Sequence, residues 1–159
     1  MIDKNKLDSQ LMLDEGCRLK AYADQYGNLT VGVGRNLDGN PLSDAELAVI
    51  GHDARTLPIT HDQALLLLHN DEMRAFNVLN YNCPWWSSLD DVRGRVLVDL
   101  VFNLGVVKFL GFHTFLTLMR TGKYKQAADD LSGTAWYSEV GDRGPRLVGM
   151  VATGEDYTA

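Results

Sequence analysis

The run Asp14-Glu15-Gly16-Cys17-Arg18-Leu19-Lys20-Ala21-Tyr22-Ala23-Asp24-Gln25-Tyr26-Gly27-Asn28-Leu29-Thr30-Val31-Gly32-Val33-Gly34 carries a helix end, a turn and a strand in close succession. Upstream of it Leu7 and Leu11 lie four apart, the spacing of an apolar helical stripe. Glu15 continues that stripe and Gly16 stops it. Asp24 to Asn28 is rich in turn formers, and from Leu29 to Gly34 the residues alternate with a strand period. Leu29, Val31 and Val33 make an aliphatic face, whereas Thr30, Gly32 and Gly34 make a nearly bare one. A bare face is expected to admit close approach of a ligand.

Working outward, Asp38-Gly39-Asn40-Pro41 reads as a turn. Ser43-Asp44-Ala45-Glu46 and Thr60-His61-Asp62-Gln63 have the form of capping boxes and announce helices. The second of these helices is predicted from His61 to about Leu79, uninterrupted by Gly or Pro. Ser88-Leu89-Asp90-Asp91 starts another, whose Val96–Leu104 segment is apolar nearly all round, as in the buried centre of a bundle, and Gly105 ends it. Shorter helices are predicted near 112–120, 123–131 and 146–150. The expected organisation is an α+β fold in one domain over 1–159. A small N-terminal mixed lobe (13–60) with a short β-sheet is followed by a connecting helix (61–80) and a larger all-helical C-terminal lobe (81–159), joined by a helix over 3–12.

A chain of 159 residues buries roughly 70% of its unfolded surface, enough for a real core. With 45% hydrophobic and 23% charged residues the composition is that of a globular protein. Cys17 and Cys83 are too few for a disulfide framework and read as free thiols of a reducing compartment. Met1-Ile2-Asp3-Lys4-Asn5-Lys6 leads into no apolar run, so no cleaved secretory signal is expected. No apolar stretch is long enough to span a bilayer, so no stable membrane insertion is expected. The net charge of −6 argues against nucleic acid as a partner.

Two carboxyl groups in unlike settings are the requirement of glycoside hydrolysis: one donates a proton to the leaving oxygen, the other stays ionised. Glu15, extending an apolar stripe, fits the first, since partial burial disfavours a charged carboxylate. Asp24, in a polar turn with backbone N–H groups at hand, fits the second. Thr30 on the bare face offers a hydroxyl to hold a water. Taken singly each has a plain structural reading: a solvated helix-end Glu, a turn-forming Asp, a Thr favoured by β propensity.

Together they closely resemble the active-site segment of the T-even phage lysozyme family: a helix-terminal Asp14-Glu15-Gly16, then Leu19-Lys20 and Tyr22, Asp24, Gly27, and Thr30-x-Gly32-x-Gly34. The resemblance continues through Ile59-Thr60, Asp62, Asp71, Ser88-Leu89-Asp90, Val92-Arg93, Val101-Phe102, Gly111-Phe112, Trp136-Tyr137, Arg143 and Arg146, almost the whole chain. It implies a lysozyme-like two-lobed fold and hydrolysis of the β-1,4 bond between N-acetylmuramic acid and N-acetylglucosamine in peptidoglycan. Glu15 is then the general acid, Asp24 the partner carboxylate and Thr30 the water-positioning residue, with no metal and no cofactor. The substrate-binding positions it implies are Asn36, Phe102, Phe115, Asp130 and Arg143; of the first four only Phe102 keeps the residue type expected, and Phe115 on its own merits reads as core. It further implies a monomeric phage endolysin, made in the host cytoplasm, needing a separate holin-type pore to reach the wall in the periplasm.

Two features depart from the pattern. Arg35 stands where the family commonly has His, facing the acid at Asp71, so the expected structural pair Arg35–Asp71 keeps its charge at alkaline pH. The net charge is acidic where well-known relatives are basic, though Arg18, Lys20, Arg35, Arg143 and Arg146 are expected to make the site locally positive. His52, His61, His69 and His113 show no His-Glu-x-x-His spacing and are read as structural, and there is no Gly-x-Ser-x-Gly elbow. Trp85-Trp86 reads as a packing pair at a helix start. The rival readings are a non-catalytic wall-binding or phage structural module on the same scaffold, and a related glycan chemistry such as transglycosylation or chitin cleavage.

Overall fold

The computed structural model describes residues 1–157, which fall into two compact units: 4–74, and 75–157 together with 1–3. In the first, helix α1 (Lys4–Glu15) buries Leu7 and Leu11 and stops before Gly16, whose N–H still bonds the Met12 carbonyl at 2.9 Å. A three-stranded antiparallel sheet follows, in the order β1 (Arg18–Ala23), β2 (Leu29–Gly32), β3 (Arg35–Asn36). Strand β1 has no counterpart among the expected elements. Only Ala21 and Tyr22 of its six residues are even partly buried, and a bulge between Arg18 and Tyr22 breaks its period.

Helix α2 (Asp44–Ile50) opens with the expected capping box: Ser43 Oγ accepts the Glu46 N–H at 3.3 Å and Glu46 accepts the Ser43 N–H at 2.8 Å. Helix α3 (His61–Asn82) opens with the second, in which Thr60 and Gln63 exchange bonds of 2.9 and 3.2 Å. It runs three residues beyond the expected Leu79. Val31, Leu37, Ile50, Ala54, Ile59, Ala64 and Leu67 form the core of this unit. Each buried aliphatic side chain stabilises by about 1.5–3 kcal/mol relative to exposure, which is what holds so small a sheet against its helices. Helix α1 groups with this unit, and only residues 1–3 group with the other.

In the second unit a 3₁₀ turn (Pro84–Ser88) carries Trp86, stacked on Phe76 at 5.7 Å with its indole N–H on Asn80 at 2.8 Å. Helix α4 (Asp91–Leu110) starts at Asp90, whose carboxylate accepts the Arg93 N–H at 2.9 Å. Its stretch from Val96 to Val101 is buried, as an all-round apolar helix must be. Gly105 breaks the α-helical path with φ 73° and ψ 165°, values open to glycine at little cost, and one more turn continues beyond it. Helices α5 (His113–Arg120), α6 (Tyr124–Ser132), α7 (Ala135–Glu139) and α8 (Arg143–Thr153) complete the unit, with α6 packed on α5 and α8. Arg93 ties down the end of α8 through the carbonyls of Val151 (2.8 Å) and Ala152 (3.2 Å). The architecture is the expected α+β one, a small three-stranded antiparallel sheet in a mostly helical chain. Among the described residues no single helix is long and apolar enough to cross a membrane. Both cysteines are free, Cys17 exposed and Cys83 buried.

Candidate active site

The sheet sets the first part of the site. Tyr22 on β1 pairs with Thr30 on β2, and Thr30 with Asn36 on β3. Directly opposed residues point to the same face, so Tyr22, Thr30 and Asn36 form one row across all three strands. Thr30 is only 4% exposed, and its hydroxyl donates to the Asn28 carbonyl at 3.3 Å. The Asn36 amide oxygen accepts the N–H groups of Asp38 (2.9 Å) and Gly39 (2.8 Å), so it shapes the following turn.

Beside this row α1 delivers Glu15, partly exposed at the helix end. Its carboxyl lies against the backbone of Gly34: a Cβ there would come 2.8 Å from Oε2, closer than any side chain tolerates. Gly34 also has φ 69°. Gly32 is close-packed in another direction, since a Cβ on it would meet Ala64 of α3 at 3.4 Å and Ile59 at 3.6 Å. The expected bare face is therefore not open along its length. At Gly32 it is sealed by α3, and at Gly34 the group that approaches is the protein's own carboxyl.

Asp24 occupies the β1–β2 turn. Its Oδ1 accepts the N–H groups of Tyr26 (2.8 Å) and Asn28 (2.9 Å), and the Asn28 amide reaches Oδ2 at 3.2 Å. Desolvation opposes ionisation here, but those donors outweigh it and hold the carboxyl below the usual Asp range. Tyr22 registers both acids. Burial pushes its phenol up, Arg18 over its ring at 4.3 Å opposes, and the charges of Glu15 and Asp24 each add to the rise. Tyr22 thus lies within electrostatic reach of both carboxyls, a position that its place in the motif alone gave no reason to single out.

Behind the sheet is a buried cation. Arg35 is 1% exposed; its Nε donates to Asp71 at 2.7 Å, and its two terminal nitrogens fork onto Glu46 at 2.8 and 3.1 Å. A further bond reaches the Leu67 carbonyl at 3.2 Å. The structure brings Arg35 and Asp71 together through a single hydrogen bond, while the forked pair of bonds goes to Glu46. The capping-box spacing gave Glu46 a role only at the start of α2. Burial would raise its pKa; Arg35, Asn70 and the Ser43 N–H overrule that and hold it far below the usual carboxylate range. Asp71 also accepts from Asn40 at 3.0 Å and Arg74 at 3.2 Å.

The remaining candidate positions lie in the other unit. Phe115 is fully buried in α5, so it cannot touch a sugar and is corrected to a core residue. Arg143, at the start of α8, is buried and paired with Asp99 at 2.8 Å. Phe102 on α4 and Asp130 on α6 are partly exposed. Of the five basic residues expected to charge the site surface, Arg35 and Arg143 are buried in ion pairs and do not contribute to it. Among the described residues one group has metal-ligand character, Asp8, His69 and Glu72, and it includes neither Glu15 nor Asp24.

The site region thus holds a carboxyl set against a glycine and a second carboxylate fixed in the turn of a three-stranded sheet, on an α+β scaffold. A family model for phage lysozyme matches residues 13–153, and the chain belongs to the phage lysozyme family. A Dictyostelium discoideum protein named "Probable T4-type lysozyme 1" is 26% identical over 94% of this chain and 95% of its own length. The endolysin of Salmonella phage P22 is 30% identical over 76% of this chain and 75% of its own. The pre-baseplate central spike protein Gp5 of Enterobacteria phage T4 is 28% identical over 91% of this chain, which corresponds to 27% of that protein.

Proposed function

We propose that this protein is a peptidoglycan muramidase of the endolysin type, with Glu15 as general acid, Asp24 as partner carboxylate and Thr30 positioning the attacking water. In this reading Glu15 donates its proton to the glycosidic oxygen as the bond to C1 of N-acetylmuramic acid breaks. Positive charge develops on the ring, and the Asp24 carboxylate stabilises it. Water adds its hydroxyl to C1, and its remaining proton returns the acid to its starting state.

One observation carries the reading most: two carboxyls, both felt by Tyr22, sit in unlike surroundings, Glu15 against Gly34 and Asp24 among N–H donors. A carboxylate that N–H donors keep ionised beside a second carboxyl without those donors is the division that an acid and a charged partner with separate duties require. The names of the lysozyme and endolysin relatives support it. Action on the wall in the periplasm, release through a holin-type pore and a monomeric state belong to the same proposal. Phe102, Asp130 and Asn36 are its candidate sugar-binding positions, and Arg143, buried against Asp99, is not among them.

The match to the spike protein favours a second reading, a phage structural module with the same scaffold. Clearing of permeabilised Gram-negative cells, followed by mass analysis of the soluble fragments, separates the two. A muramidase releases fragments ending in reducing N-acetylmuramic acid, a transglycosylase releases anhydro ends, and a structural module releases neither.

A further inference from the structure

We propose that Asp8, His69 and Glu72 form a binding site for one divalent first-row transition ion, with zinc as its reference occupant. His69 and Glu72 are three apart on α3, so they share one helical face. Asp8 comes from the early part of α1. One ligand atom from each lies within 4.8 Å of the others. Ligands around a tetrahedral zinc stand about 3.4 Å apart for bonds of about 2.1 Å, so small rotamer changes close the set. Asp8 and His69 have the freedom for this, being partly exposed, and they leave an entry path from solvent.

The group is more than a cluster of acids. Glu72 is fully buried, yet among the described residues no N–H group donates to its Oε1 or to Asp8 Oδ1, so the two carboxyls can bond each other only by sharing a proton. An unbonded carboxylate oxygen away from water is costly, and two facing each other are more so. The present compensation is Lys4, which bonds Glu72 Oε2 and stands 3.7 Å from Asp8 Oδ1. Its own side chain is half exposed. His69 Nε2 is 3.0 Å from Asp8 Oδ2, already turned towards the acids. One half-exposed ammonium is thus the cation set against two facing carboxyls.

A divalent ion fits what is missing. One imidazole and two carboxylates, with a water in the fourth position, make a three-ligand set of the kind zinc takes, and they suit borderline ions over soft ones. Lys4 would be displaced to solvent. The ion would pin α1 to α3, and α1 is the helix whose last residue is Glu15.

The test uses the full chain with Cys17→Ser, because an exposed thiol takes up zinc by itself. Zinc chloride is titrated calorimetrically at pH 7.5, and the gain in Tm on adding zinc is measured in parallel. A one-to-one isotherm is expected, weakened at least about tenfold by His69→Ala and by Glu72→Gln. Lys4→Ala, which removes the competing cation, is expected to tighten binding. Comparing gains in Tm with zinc, and not the Tm values themselves, keeps the test valid if Gln at 72 stabilises the fold. Absence of a saturable one-to-one site in both Cys17→Ser and Cys17→Ser/Lys4→Ala overturns the proposal. So does a site whose affinity His69→Ala leaves unchanged, since zinc would then be held elsewhere.

Discussion

The carboxyl of Glu15 lies against the backbone of Gly34, close enough that a methyl group on residue 34 would come 2.8 Å from Oε2. Gly34→Ala therefore has two effects: strain at φ 69°, about 1–2 kcal/mol, and displacement of the proposed acid. Gly51, with φ 79° and nothing within 4 Å of its added Cβ, isolates the first effect. Both alanine variants should lose similar stability by thermal melting, while only Gly34→Ala should also lose wall hydrolysis, by at least about tenfold, or ~1.4 kcal/mol in the barrier. Equal activity in the two variants would show that Glu15 needs no exact seat.

The Arg35 network makes a prediction about stability. Glu46→Gln removes the charge that receives the guanidinium fork inside the core, where stranding a cation costs on the order of 3 kcal/mol. Asp71→Asn removes the charge that meets Arg35 at Nε alone, at a more open position, leaves the fork to Glu46 in place and should cost less. Chemical denaturation of the two variants decides the order, and a larger loss for Asp71→Asn would refute it.

The pH dependence of that loss follows from the direction of the Glu46 shift. Its folded pKa lies below its unfolded one, so its contribution is present above the ordinary Glu value, about 4.3, and fades as pH falls through the folded value. The stability gap between wild type and Glu46→Gln should stay constant from pH 6 to pH 9, since Arg35 remains charged throughout, and narrow only in strong acid. A gap that closes between pH 6 and pH 9, as a His–acid pair would give, is the contrary result.

How far the sequence speaks differs from residue to residue. Both capping boxes, the end of α1 at Gly16 and the break at Gly105 are local signals, since each is decided by neighbours within a few positions. Glu46 shows where local signals stop: its spacing from Ser43 reveals the cap, but its fork to Arg35 depends on how β3 and α2 pack. Asp8 is 61 residues from His69, and nothing in their spacing announces that they meet. The bare strand face was legible as a pattern, yet whether a ligand or the protein's own atoms would fill it was decided by α3 and by Glu15. Strand β1 leaves no period in the sequence because four of its six residues face solvent, Leu19 and Ala23 among them, and the other two are only partly covered; its pairing with β2 stabilises it more than its own propensity.

Charge supplies a further prediction. With a net charge of −6, and with Arg35 and Arg143 buried in ion pairs so that only Arg18, Lys20 and Arg146 remain of the five basic residues expected at the surface, long-range attraction to an anionic wall is weak. Added salt screens such steering over roughly 8–10 Å at physiological strength, so wall hydrolysis should vary only weakly between low and physiological ionic strength. A steep fall in rate over that range would reveal an exposed basic surface around the substrate.

Asp24 sets an expectation for the acid side of the activity profile. Hydrogen bonds from Tyr26 and Asn28 keep its carboxyl ionised to lower pH than an ordinary Asp. Activity should therefore persist on acidification until the pH falls below the usual Asp range, about 3.9. In Asp24→Asn, which keeps an oxygen for those two N–H groups, the fold should survive while the rate collapses. A rate in Asp24→Asn near that of wild type would remove Asp24 from the chemistry and leave it as a turn former.

The assignment of Glu15 as general acid is tested most directly by digesting purified peptidoglycan with wild type and with Glu15→Gln, matched for folding by circular dichroism and Tm, and counting the fragments by mass spectrometry. Gln keeps the shape beside Gly34 but has no proton to give, so release of fragments ending in N-acetylmuramic acid should fall by several orders of magnitude. Retention of more than about a tenth of the wild-type rate, a loss of under ~1.4 kcal/mol, would contradict the account.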